Sequence, residues 1–243
     1  MTDPLFLRED LPDPLPAVGA RMSLDGDEGR HAAVVRRIQI GETIMVADGR
    51  GRGITGSVVE VDRSGLVVEV AAQLASPARP LRFVAVQALA KGDRSELAIE
   101  MLTELGVDEI LPWQASRSVV RWSGERGERS RARWASTARE AAKQARRLRV
   151  PVIGKVLSTK AVAATVASAE LALVLHEDAT ETLARVDLPV VGTVLLVVGP
   201  EGGIAPEELT ALAAAGGRPV SVSDGVLRTS TAGVVALAGL LLR

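Results

Sequence analysis

Gly199-Pro200-Glu201-Gly202-Gly203 stands between the apolar, β-branched run Val190–Val198 and a helical pattern that opens at Pro206. A strand, a rigid glycine turn and a helix in that order belong to an open α/β sheet, which binds ligands at the carboxyl ends of its strands. Gly199 and the Gly202-Gly203 pair let the backbone turn tightly and approach a ligand, Pro200 stiffens the turn, Pro206 starts the helix, and Glu201 is its only charge. A second stretch, Leu227-Arg228-Thr229-Ser230-Thr231-Ala232, follows the short run Val220–Val222 and again precedes a helical pattern. Its hydroxyls can cap that helix, which leaves Arg228 unexplained. A third rim element, His176-Glu177-Asp178, ends the run Leu171–Leu175; it reads either as polar residues emerging into water or as part of the same ligand edge.

Outward from these loops the alternation continues. Phe83–Leu89 reads as a strand, and Ser95 is placed to cap a helix with Leu97, Met101 and Leu105 on one face, which Gly106 ends. Val107–Pro112 reads as a strand, 127–148 as a helix and Glu207–Ala215 as another. Strands alternating with helices predict a largely parallel sheet covered on both faces. The last helix, from Thr229 or Ser230 to Leu242, is apolar nearly all round; it is either the central helix of the domain or, the reading we favour, a subunit interface. Residues 1–72 differ. A helix around Glu28 to Arg37 precedes three short runs, Thr43–Ala47, Ile54–Val61 and Leu66–Ala71, joined by hairpin turn chemistry at 48–53 and 62–65, which predicts a small β-barrel. The aperiodic stretch Gln73–Pro80 marks a boundary, giving domains 1–74 and 80–243.

Composition narrows the chemistry. The chain has 243 residues, is 47% hydrophobic and carries no cysteine, which excludes disulfides, cysteinyl metal sites and thiol nucleophiles. With no leader pattern and no apolar run of membrane-spanning length, we read it as cytoplasmic. No P-loop, Rossmann fingerprint or Gly-x-Ser-x-Gly elbow is present, and His31 and His176 lack metal-ligand spacing, so no metal is expected. The net charge of −1 conceals an asymmetry: 117–149 holds ten arginines and Lys143 against Glu125, Glu128 and Glu140. A mixed-charge helix laced by salt bridges would be more balanced; an arginine excess suits phosphate forks and base stacking.

Taken together, Gly199–Gly203, Leu227–Ala232, Gln87-Ala88-Leu89-Ala90-Lys91-Gly92-Asp93-Arg94, Glu104-Leu105-Gly106-Val107 through Pro112, and Glu140-Ala141-Ala142-Lys143-Gln144-Ala145-Arg146-Arg147 resemble the bacterial family that methylates N3 of a uridine in 16S ribosomal RNA. That family belongs to the SPOUT methyltransferases. His31 to Arg36 also resembles its PUA-like N-terminal RNA-binding barrel, so the likeness runs through almost the whole chain. It implies an α/β domain with a deep C-terminal trefoil knot, an exception to the rule against threaded chains. It also implies a homodimer, and 16S ribosomal RNA or the small ribosomal subunit as partner. S-adenosylmethionine would be held at Leu175, His176, Glu177, Gly199, Pro200, Glu201, Gly202, Gly203, Val222, Ser223, Val226, Leu227 and Thr231. Arg228 would stabilise the uracil anion or a neighbouring phosphate, and Glu201 would remove the proton or orient Arg228. RNA contacts would come from His31, Arg36, Lys91, Arg94, Arg117, Arg121, Arg139, Arg146 and Arg147. The pattern is broken at Ser223, where the family usually has glycine, and at Ser230, where it usually has an acidic residue, so no general base stands at 230. Rival readings are a knotted methyltransferase for another ribosomal or transfer-RNA position, and a non-catalytic RNA-binding ribosome-assembly protein.

Overall fold

The computed structural model describes residues 3–243 and divides into two compact units, one formed by 3–78 with 142–150, the other by 79–141 with 151–243. The return of 142–150 to the first unit departs from the contiguous division at Gln73–Pro80.

The first unit is a five-stranded sheet. Its strands are β1 (Leu5–Leu7), β2 (Arg21–Leu24), β3 (Thr43–Ala47), β4 (Arg52–Val61) and β5 (Leu66–Ala75), in the order β1-β3-β4-β5-β2. All pairs are antiparallel except β1 with β3. Register shifts between Thr55 and Gly56 and between Val58 and Glu60 bend the long β4–β5 pair, as bulges do. Gly56 is obligatory at that bend, because a Cβ there would lie 2.2 Å from the Glu69 carbonyl oxygen. The concave side buries Phe6, Met22, Leu24, Ile44, Val46, Ile54, Val58, Leu66, Val68 and Val70. A short helix α1 (Gly26–Arg30), continued by a π-helical turn over His31–Val35, adds Ala32 to this core.

The second unit is a six-stranded sheet with every pair parallel, ordered β11-β9-β10-β6-β7-β8. The strands are β6 (Leu81–Ala88), β7 (Glu109–Trp113), β8 (Val152–Ile153), β9 (Leu171–Leu175), β10 (Gly192–Val198) and β11 (Arg218–Val220). The crossovers contain α2 (Arg94–Leu105), α3 (Gly124–Gln144), α4 (Thr159–Ser168) and α5 (Pro206–Ala214), and α6 (Ala232–Leu241) closes the chain. On one face Val162, Val166 and Leu212 from α4 and α5 pack on Val84, Val86, Ala172, Val174, Leu195 and Val197. α6 packs on β6, β10 and α2.

Three local expectations are corrected. The buried face of α2 is Ser95, Ala98, Ile99, Leu102 and Thr103, while Leu97 is 44% exposed. The apolar stripe Leu97, Met101, Leu105 satisfies helical periodicity, but α2 turns another side inward, and Leu102 of that side lies against Gly233 of α6. Asp93, not Ser95, occupies the cap position, and Ser95 Oγ instead donates to the Ala90 carbonyl. Finally, β11 spans Arg218–Val220, so Val222 lies in the loop beyond it.

Candidate active site

Parallel pairing brings distant loops to one edge. Val198 is in register with Gln87 and Leu175 with Val220, so the segments after β6, β9, β10 and β11 leave the sheet side by side. They enclose a cavity of about 290 Å³. Leu175, His176 and Glu177 line it from the β9 loop, and Gly199, Pro200, Glu201 and Gly203 from the β10 loop. Val222, Ser223, Val226, Leu227 and Arg228 line it from the segment after β11. Two residues expected at the cofactor are off this wall. Gly202 turns its carbonyl to Arg117 Nη1 at 3.0 Å, and Thr231 Oγ1 donates to the Arg228 carbonyl at 3.1 Å. Pattern reading also missed Val198, Ile204, Gly225, Thr229 and Ala232, which line the cavity as neighbours of residues it found.

The glycines of the β10 loop have physical reasons. Gly203 has φ +71°, and its amide donates to the Pro200 carbonyl at 2.9 Å, closing a tight turn. At Gly199 a Cβ would come within 2.7 Å of Ile204 Cγ1. This loop is sewn to the other long loop from below. Thr229 Oγ1 donates to the Gly199 carbonyl, and buried Gln87 Nε2 donates to the Thr229 carbonyl at 3.1 Å. The expected capping by hydroxyls does not occur: Thr231 stands at the start of α6 without a side-chain cap, and Thr229 ties loops together instead. Glu201 Oε1 accepts the Lys91 amide at 3.2 Å, joining the β10 loop to the Lys91–Arg94 loop. His176 Nδ1 accepts the Asp178 amide at 3.2 Å, which ties the ring to its own loop.

S-adenosylmethionine needs an apolar slot edged by backbone polar groups and a polar mouth. The cavity supplies Leu175, Val198, Ile204, Val226, Leu227 and Ala232 as apolar wall. Among the described residues, the amides of Val222, Val226 and Leu227 donate no hydrogen bond within the protein. Its volume sits at the lower end of small-molecule pockets, roughly 300 Å³ upward. The residues fit the cofactor.

The candidate RNA contacts are distributed. Arg94 lines the cavity and Lys91 is exposed on the same loop. Arg117 and Arg121 are exposed on the loop after β7, and Arg139 is half-buried on α3. Arg146, in the left-handed region at φ 53°, and Arg147 lie in the segment that packs with the first unit. His31 meets Phe6 edge-on at 6.5 Å in the first unit, and Arg36 is exposed there. Among the described residues, no group of three or more His, Asp or Glu side chains could hold a metal ion, and no helix is long and apolar enough to cross a membrane.

A family profile described as an RNA methyltransferase domain matches residues 77–241, and one described as an RNA methyltransferase PUA domain matches residues 24–71. The chain belongs to the RNA methyltransferase family. Ribosomal RNA small subunit methyltransferase E of Mycobacterium bovis is 47% identical over 93% of this chain and 87% of its own length. A Legionella pneumophila protein solved in complex with bound cofactor SAM superimposes with TM-score 0.86 at 27% identity, covering 100% of this chain and 98% of that one. Ribosomal RNA small subunit methyltransferase E of Neisseria gonorrhoeae, bound to S-adenosylmethionine, shares the fold of this RNA methyltransferase at TM-score 0.86 and 24% identity, covering 99% of this chain and 98% of that one.

Proposed function

We propose that this chain, by family an S-adenosylmethionine-dependent methyltransferase of ribosomal RNA, methylates N3 of a uridine in the 16S RNA of the small subunit. The observation that carries the reading is that Arg94 and Arg228 stand on the wall of the same cavity as the two glycine-bearing loops. A cofactor slot and cations for an electron-rich base are thus contiguous. When bound, the cofactor supplies an electrophilic methyl group on a sulfonium. The protein's part is to hold N3 deprotonated and in line, and to exclude water. N3 lies on the Watson–Crick edge, so the base must be unpaired or flipped, at roughly a few kcal/mol in a duplex. Arg228 stabilises the uracil anion or a neighbouring phosphate. Among the described residues no ion pair joins Glu201 to Arg228, which gives no support to an orienting role. Proton removal is the role left to Glu201, with one of its oxygens engaged by the Lys91 amide.

In this reading 1–74 form the RNA-binding domain and 80–243 the methyltransferase domain of a cytoplasmic homodimer. Exposed Leu97, Val235 and Leu242, on and just beyond α2 and α6, support a subunit interface. A trefoil knot is supported where Ser221 pairs with Glu181 and Leu183 while α6, further along, packs on β6 and β10. The test is Arg228→Ala. Methyl transfer to small subunits from a strain lacking the enzyme should fall about a hundred- to a thousandfold, with S-adenosylmethionine affinity within about threefold of wild type. Normal turnover removes Arg228 from the chemistry. Mass spectrometry of ribosomal RNA from that strain should show one methyluridine lost; an unchanged profile overturns the ribosomal assignment.

A further inference from the structure

Glu208 is a buried carboxylate, 4% exposed, for which methyl transfer has no direct use. It sits on the first turn of α5, where a glutamate ordinarily caps its own helix, and Oε2 does accept the Ala205 amide at 3.3 Å. Its remaining contacts reach elsewhere. Oε1 accepts the Ser116 amide at 2.9 Å and Thr159 Oγ1 at 2.6 Å, and Oε2 accepts Ser116 Oγ at 2.9 Å. Ser116 immediately precedes Arg117, whose guanidinium reaches the Gly202 carbonyl. Gly202 leads through Gly203 and Ile204 to Ala205. The contacts therefore close a ring: Glu208 to Ser116, Arg117 to Gly202, and along the backbone to Glu208 again.

We propose that Glu208 is a positioning residue for the methyl-donor site, holding Ser116 so that Arg117 braces Gly202 and keeps the Gly199–Gly203 turn in its binding shape. The inference rests on the reading of the cavity as that site. A turn with three glycines has much freedom to lose when a ligand binds, and a brace that removes this freedom beforehand raises affinity without touching the ligand. Burial pushes the Glu208 carboxyl up, but the hydrogen bonds from Thr159, Ser116 and Ala205 outweigh it and hold it below the ordinary glutamate value. The ionised form is the one that can accept from all four donors; a glutamine must turn an NH2 group toward some of them. Arg117 thereby acquires a task inside the protein, distinct from the phosphate contact its charge suggested.

The test is a double-mutant cycle on the full chain with Arg117→Ala, Glu208→Gln and both together. S-adenosylmethionine affinity is measured by calorimetry, and melting by tryptophan fluorescence. Each single variant should weaken binding about tenfold, and the double variant little more than either alone, because both remove the same brace. Thr159→Val, which touches Glu208 outside the ring, should lower the melting temperature and leave affinity unchanged. Rescue by Glu208→Asp should be partial at most, since the shorter side chain cannot span Ser116 and Ala205 together. If Glu208→Gln melts earlier yet binds normally, or if the double variant weakens binding about a hundredfold, the brace is wrong. Should Glu208→Gln fail to fold, Ser116→Ala enters the cycle in its place, with a loss of twofold or more expected and normal affinity overturning the proposal. A wild-type protein that does not bind S-adenosylmethionine overturns the cavity assignment itself; normal wild-type binding with unshifted variants overturns only the role of Glu208.

Discussion

Asp48 in the β-sheet unit and Glu208 in the α/β unit are both buried carboxylates, 2% and 4% exposed. Both are held below the ordinary carboxylate range, burial raising each and hydrogen bonds outweighing it. Their wiring is opposite. Asp48 accepts from the amides of Arg50 and Arg52 at 2.7 and 3.0 Å and from Arg52 Nε at 3.0 Å, all within four residues. Glu208 reaches Thr159 and Ser116, separated from it by 49 and 92 residues. The first carboxylate shapes a hairpin turn that its own neighbours already favour; the second draws together loops that only folding brings near. This follows from architecture. Antiparallel strands are joined by short turns, whereas parallel strands need long crossovers, so the loops at one edge of a parallel sheet are strangers in sequence.

The contrast can be broken most sharply at Glu208. Glu208→Ala strands the buried amide of Ala205 and releases Ser116 and Thr159, and should cost about 2–3 kcal/mol of unfolding free energy. Trp113, Trp122 and Trp134 all lie in the second unit, so urea unfolding followed by tryptophan fluorescence reads that unit alone. A loss below about 1 kcal/mol would make Glu208 no different from a local cap. Thr229→Val keeps the shape but removes the hydroxyl that bridges Gly199 and Gln87, and should cost about 1–2 kcal/mol on the same assay. Asp48→Asn retains an oxygen for the turn amides but turns an NH2 toward Arg52, whose half-exposed side chain can move into water, so about 0.5–1 kcal/mol is expected. Its hydrogen-exchange signature should stay within the β3–β4 hairpin; faster exchange throughout the sheet would show that Asp48 is not a local device.

The smallest effect is the pH dependence. Both groups have folded pKa values below their unfolded ones, so their stabilisation is complete above the ordinary carboxylate range, about pH 4. It is lost as pH falls through the lowered folded values. In the second unit the acid-side slope should be shallower in Glu208→Gln than in wild type; an unchanged slope would place the acid sensitivity elsewhere.

Legibility in the sequence follows the same division. Leu171–Leu175 and Thr43–Ala47 were readable to the residue, because a β-branched or apolar run between turn residues is a local signal. The edge strands β1 and β2 were not: three apolar residues in β1 and one short alternation, Arg21–Leu24, in β2 are too little sequence to distinguish a strand from a loop. Gly199, Gly203, Glu201 and Arg228 could be read from residue type and position as a candidate rim, and they line one cavity. The tie of Glu201 to Lys91, the capture of Gly202 by Arg117 and the service of Thr229 as a bridge had no signal at all. The buried face of α2 was misread because periodicity identifies an apolar stripe without saying which neighbour arrives to cover it.

What the sequence determined by itself was the inventory: a strand-turn preference in the first unit, alternation in the second, two glycine loops, a basic helix and the residues that mark the family. These depend on backbone freedom and on side chains a few positions apart, which local order records. Only the tertiary structure decided which loops share a wall, that Arg117 captures Gly202, and that Glu208 accepts from Ser116 and Thr159. Those contacts span many tens of residues, and their partners are chosen by the order of strands in the sheet rather than by the order of residues in the chain.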